Sequence, residues 1–125
     1  MERNWRQLTL RDGEVVYVDA AQVVMLETSG SGACVLLATG VELLLADPIE
    51  AADTLLGCLR LRGVDGYRIN PEHVIAIEST GSTACRLRLS TGTLIDAHGI
   101  TAAGLCRAIE QQEKYPWDTI RMVRS

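Results

Sequence analysis

A stretch of 24 residues occurs twice in this chain, and no other feature restricts its fold as much. Residues 23–46 read VVMLETSGSGACVLLATGVELLLA, and residues 74–97 read VIAIESTGSTACRLRLSTGTLIDA. Sliding the first stretch onto the second places Val23 on Val74, Leu26 on Ile77, Glu27 on Glu78 and Cys34 on Cys85. One extra residue in the second stretch then brings Thr39-Gly40 onto Thr91-Gly92. Self-similarity at a fixed period of about fifty residues is a signature of repeated architecture, each copy being one supersecondary unit.

The unit reads as a meander closed by a helix. Leu8-Thr9-Leu10 and residues 14–18 flank Arg11-Asp12-Gly13, and an Asp-Gly between alternating apolar runs signals a hairpin. Residues 23–28, 33–38 and 41–45 follow as strands, separated by glycine-bearing turns. Asp47-Pro48-Ile49-Glu50 then reads as a helix start, with Asp47 as N-cap and Pro48 in the first turn. Ala52, Leu55, Leu56 and Leu59 share a helical face, and the helix is expected to end at Gly63 to Gly66. The second copy predicts strands over 67–70, 74–78, 85–90 and 93–95. Thr101 caps a second helix on which Leu105, Ala108 and Ile109 share a face. The tail alternates from Asp118 and is expected to dock through Tyr115 and Trp117, or to add an edge strand.

The expected fold is therefore a single α+β domain over 1–125. It consists of two tandem β-meander-plus-helix repeats with pseudo-two-fold symmetry and mainly antiparallel sheet. Repeat 1 covers about 7–62, repeat 2 about 63–114, and the C-terminal tail 115–125. Length permits one core without staples. Apolar residues make up 47% of the chain and Phe is absent, so the core rests on Leu, Val, Ile and Ala.

One difference between the copies carries information. Arg86 and Arg88 alternate with Cys85, Leu87 and Leu89, so one face of that strand is wet. Val35-Leu36-Leu37 and Leu43-Leu44-Leu45 are apolar on both faces and need cover on both. With two helices available, the second cover is expected from the tail or from another subunit. The expectation is a homodimer with Val35, Leu37, Leu43, Leu45 and Trp117 near its interface.

The residues 7–14 (QLTLRDGE), with Val23-Val24-Met25-Leu26-Glu27 and Ala38-Thr39-Gly40, resemble the small FlbD-type flagellar proteins, which are single copies of this unit. From Glu14 to Ile109 the order is similar to a LytTR-type DNA-binding domain: a strand ending in Ile-Glu, a turn, paired strands, a helix, then Tyr-x-x-Asn and a second round. Tyr67-Arg68-Ile69-Asn70 and residues 73–78 (HVIAIE) fit that second round. The resemblance implies an α+β fold and a transcription regulator that meets DNA. LytTR domains carry His-Arg-Ser just before that Tyr and Ser-Arg before the last helix. Here Val64-Asp65-Gly66 and Ala97-His98 stand near those places.

Charge is uneven: residues 1–62 carry five Arg against nine acids, residues 63–125 seven basic against seven acidic, and the net is −4. The total does not favour nucleic acid, although a local patch suffices to bind it. Arg68, Arg86, Arg88 and Arg107 are the candidate anion- or nucleic-acid-binding surface. No cysteine pair has metal or redox spacing, and Cys34, Cys58, Cys85 and Cys106 read as free thiols in a reducing compartment. His73 and His98 lack zinc-type spacing, and Glu27 and Glu78 read as solvated strand ends rather than paired acids. Gly30-Ser31-Gly32 joins two strands and opens no helix, so it is no phosphate cradle. Trp5 and Trp117 read as core or as interface anchors.

No catalytic residue, metal or cofactor is expected. Met1-Glu2-Arg3-Asn4-Trp5 lacks the apolar run of a leader, and the expected location is cytoplasmic. The first functional expectation is a small non-enzymatic regulator or phage-type inhibitor that works through a macromolecular interface, with a protein partner. The alternatives are a LytTR-like transcription regulator and a dimeric protein that sequesters a small molecule or nucleotide.

Overall fold

The Asp12-Gly13 turn forms as its composition dictates. Gly13 adopts a φ of 93°, the Asp12 carboxylate accepts from the Glu14 N–H at 2.9 Å, and the Leu10 N–H reaches the Glu14 carbonyl at 2.8 Å. This turn joins β1 (Trp5–Thr9) to β2 (Val15–Asp19) in the computed structural model, which describes residues 4–114. Beyond it come β3 (Val23–Ser29), β4 (Gly32–Leu37), β5 (Glu42–Leu45) and helix α1 (Ile49–Leu56). The second half holds β6 (Tyr67–Ile69), β7 (Val74–Gly81), β8 (Ala84–Leu89), β9 (Leu94–His98) and helix α2 (Ala102–Lys114). Mostly antiparallel sheet with two helices makes this a small α+β domain.

The strands form three sheets: β1-β2, β5-β4-β3-β6 and β7-β8-β9. The β1-β2 hairpin attaches to β5 through a Leu10–Leu45 bridge and bonds from Arg11 N–H to Leu44 C=O and Ala46 N–H to Thr9 C=O. β6 does not join the sheet of its own half. It pairs antiparallel with β3, setting Glu27 opposite Tyr67 and Met25 opposite Ile69.

Two cores result, and β3 serves both. Val23 and Leu26 point toward α1, packing with Leu8, Val35, Leu45 and Ile49. Val24 and Met25 point the other way, into a core with Ile69, Leu87, Leu105 and Ile109. Val23 and Val24 face opposite layers as successive strand residues do, and the register shift between Val23 and Met25 lets Met25 follow Val24 into the second core. Each fully buried Leu or Val contributes roughly 1.5–3 kcal/mol of transfer free energy.

This arrangement corrects the expected cover of the first-half strands. Their second face is covered in part by the chain's own second core, where Leu36 and Ala38 pack. Val35 and Leu45 are fully buried beneath α1, and Leu37 and Leu43 pack half-buried against that same core. Those four side chains point inward. On this sheet Val41 and Leu44 are the exposed apolar residues instead. Trp117 and the tail lie outside the described residues.

The pairing register also corrects the sequence alignment. Thr28 pairs with Ala33 and Ser79 with Cys85; Met25 pairs with Leu36 and Ala76 with Arg88. Ala33 thus corresponds to Cys85, and Cys34 to Arg86, because the extra residue sits in the β7–β8 turn beside a bulge at Ser79–Gly81. A one-residue slip exchanges faces, so Cys85 is buried while Cys34 is only half-buried on the other side.

Helix boundaries differ as well. Pro48 occupies the N-cap of α1 without a side-chain cap bond, and Asp47 lies outside it. Gly57 at φ 73° ends α1, its N–H donating to Asp53 C=O at 2.9 Å. Leu59 therefore leaves the helix and bridges to Ile69. Thr101 does cap α2, its hydroxyl accepting from Gly104 N–H at 3.0 Å.

Candidate functional site

The four arginines singled out from the sequence are dispersed and largely matched by acids. Arg68, on β6, is buried, and its guanidinium meets the Asp53 carboxylate of α1 at 2.7 Å. Arg86 meets Asp96 at 2.9 Å across β8–β9, and Arg88 meets Glu78 at 2.9 Å across β7–β8. Both pairs stand on the wet face of the third sheet, opposite the Leu87–Leu89 face that packs under α2. Arg107 is exposed on α2, on the far side of that sheet. No single surface gathers all four.

Sequence reading missed Arg60 and Arg62. Once Gly57 ends α1, Leu59 bridges to Ile69, and residues 61–64 form a turn in which Val64 N–H donates to Leu61 C=O at 3.1 Å. Leu59 is half-buried and Leu61 buried, while Arg60 and Arg62 face solvent. The alternation Leu59-Arg60-Leu61-Arg62 is the signal, and it was masked by assigning Leu59 to the helix. Among the described residues neither arginine has a carboxylate partner.

The segment is held firmly. Leu61 and Val64 anchor it in the second core, and His98 N–H donates to Gly63 C=O at 3.1 Å. Gly63 has φ 86°, and a Cβ there would come within 2.5 Å of the His98 carbonyl oxygen, so only glycine allows this approach. Arg62 and the exposed His98-Gly99 turn are thereby brought side by side. Exposed guanidinium groups that no carboxylate neutralises are what a phosphate-bearing ligand requires.

Other candidates resolve into structure. His73 Nδ1 lies 2.7 Å from the Ser90 hydroxyl and Nε2 lies 2.7 Å from the Ala21 carbonyl. The carbonyl only accepts, so Nε2 carries a proton, and the ring ties the first half to the second. Glu27 and Glu78 stand in different sheets, the latter paired with Arg88. Among the described residues no cluster of His, Cys, Asp and Glu could hold a metal. No helix is long and apolar enough to cross a membrane. The cysteines are free: burial, with help from Asp53, pushes the Cys58 thiol up to about 12, while Cys106 is exposed. Burial likewise raises Cys85 and Cys34, the latter aided by Glu42 and Glu27.

No protein-family model matches the chain, and no curated protein matches it in sequence. Among solved structures it is similar to one described as the LytTr DNA-binding domain of a methyl-accepting/DNA response regulator from Bacillus cereus. The TM-score is 0.59 at 14% identity, over 87% of this chain and 96% of that one. At that identity the likeness concerns fold alone, and the shared fold extends over 87% of this chain.

Proposed function

We propose that this chain is a non-enzymatic regulatory module that binds duplex nucleic acid through the Arg60–Arg62 segment and the neighbouring His98 turn. The reading rests on one observation: a domain described as DNA-binding shares the fold over 87% of this chain. The exposed Arg60 and Arg62, without carboxylate partners among the described residues, supply local positive charge in a chain of net −4. In the same reading the halves are copies of one unit about an approximate two-fold axis. The recurring element order and the matching register shifts at Val23/Met25 and Val74/Ala76 support it.

The test is fluorescence anisotropy with random duplex DNA across a salt series. Neutralising about three phosphates gives a log K against log salt slope of about −2 to −3. Arg60→Glu with Arg62→Glu is expected to weaken binding by at least about tenfold. Arg86→Glu with Arg88→Glu is expected to change it less, because those charges are already matched. No retention of the unaltered protein at low salt overturns the proposal.

The acidic balance favours a second reading, a protein-binding regulator acting as a homodimer. Trp5, Val15 and Tyr17 are exposed on the β1-β2 hairpin and give it an apolar surface. Light scattering that returns a salt-resistant dimer, lost on Tyr17→Glu, supports this reading, and a monomer overturns it.

A further inference from the structure

Strand β7 is the margin of the third sheet, and among the described residues β8 alone pairs with it. Its run Val74-Ile75-Ala76-Ile77 carries no charge, and Ile75 is 62% exposed. An uncharged apolar edge offers open backbone groups to any chain that reaches it, and native proteins cover such edges. Beside it a groove of about 290 Å³ runs between β7 and α2, lined by Val74, Ile75, Ile77, Cys106 and Ile109 with Glu110 at the rim.

Charge selects the occupant. A two-fold antiparallel pairing of β7 (Val74–Gly81) with a second copy centred on Glu78, near the middle of the strand, would set the two Glu78 side chains opposite each other, and directly opposed like charges destabilise a sheet. Residues 115–125, which lie beyond the described residues, read YPWDTIRMVRS. They offer Trp117, Ile120 and Met122 at apolar positions and Arg121 and Arg124 against a single Asp118. They begin where α2 ends, one turn past the residues that line the groove. Eleven extended residues reach about 36 Å, enough to turn back along the roughly 26 Å of an eight-residue strand.

We propose that β7 and its groove are the docking site of the chain's own C-terminal segment, residues 115–123, with Trp117 in the groove and the backbone along the open edge.

The experiment uses the full chain with Trp5→Phe, which leaves Trp117 as its one tryptophan. The expected emission is blue-shifted and shielded from acrylamide, and Ile75→Lys moves it to the unfolded value. In parallel, hydrogen exchange is read at the β7 amides that point away from β8. Trp117→Ser with Ile120→Ser is expected to speed them by more than about tenfold. The Leu87 and Leu105 amides stay slow and report an intact fold. Solvent-exposed Trp117 emission overturns the proposal, as does β7 protection that is indifferent to the double substitution. Protection that rises with protein concentration also overturns it, and assigns the edge to a second copy.

Discussion

The two three-stranded meanders, β3-β4-β5 and β7-β8-β9, have the same strand order but face different surroundings. The first is sandwiched between the core under α1 and the core it shares with β6, β8 and α2, so β4 is apolar on both sides. The second has α2 on one face and water on the other, and β8 reads alternately as Cys, Arg, Leu, Arg, Leu. The composition of a strand thus reports how many layers cover it. It does not report whether those layers come from the same chain.

The ion pairs sharpen this contrast most. Asp53→Ala leaves Arg68 buried without its carboxylate and is expected to cost about 3–5 kcal/mol by denaturant melt. The solvent-facing counterpart, Asp96→Ala, is expected to cost about 1 kcal/mol or less, because both members of that pair are half exposed. Equal losses would break the distinction between the covered and the wet sheet.

Leu26→Ala and Leu87→Ala probe the cores separately, each expected to cost about 2–5 kcal/mol. Because β3 feeds both cores, each substitution should move one shared transition. Two transitions, one moving per substitution, would show the halves to be independent. Asn70→Ala removes a 2.7 Å bond from the buried Asn70 amide to the Val23 carbonyl and is expected to cost about 1–3 kcal/mol.

The smallest effect at neutral pH concerns the thiols. Cys58 in the first core ionises at about 12 when folded, against 9.0 ordinarily. The unfolded chain therefore loses that proton first. Stability is level below pH 9 and falls between pH 9 and 12. Cys58→Ala should flatten that decline, and at pH 8 a thiol reagent should label Cys106 before the buried three-dimensionally enclosed Cys58 and Cys85.

Local chemistry made much of this fold legible. The Asp12-Gly13 turn, the Thr101 cap and the wet face of β8 each follow from residues adjacent in sequence. What was not legible depends on contacts far apart in sequence or on a single-residue offset. Nothing near Tyr67 says that β6 pairs with β3, and the identical Ala-Cys dipeptides hid a bulge that shifts one strand by a residue. The site suffered from the same kind of error. Leu59 fits a helical face until Gly57 turns left-handed, and only then do Arg60 and Arg62 emerge, one beside the Leu59 bridge and one in the turn at Gly63. Charge pattern alone drew attention to Arg86 and Arg88, whose carboxylates arrive from neighbouring strands.

The pairing of β6 with β3 also bears on how the molecule assembles. Met25 meets Ile69 only after the intervening meander and α1 have been spanned, so the chain must close a long loop before the central sheet is complete. Contacts of such sequence separation slow the search for the native state and couple distant segments into one cooperative event. A ribosome that has released only the first sixty residues has therefore delivered a sheet still missing its fourth strand, and productive folding waits for the second half to emerge.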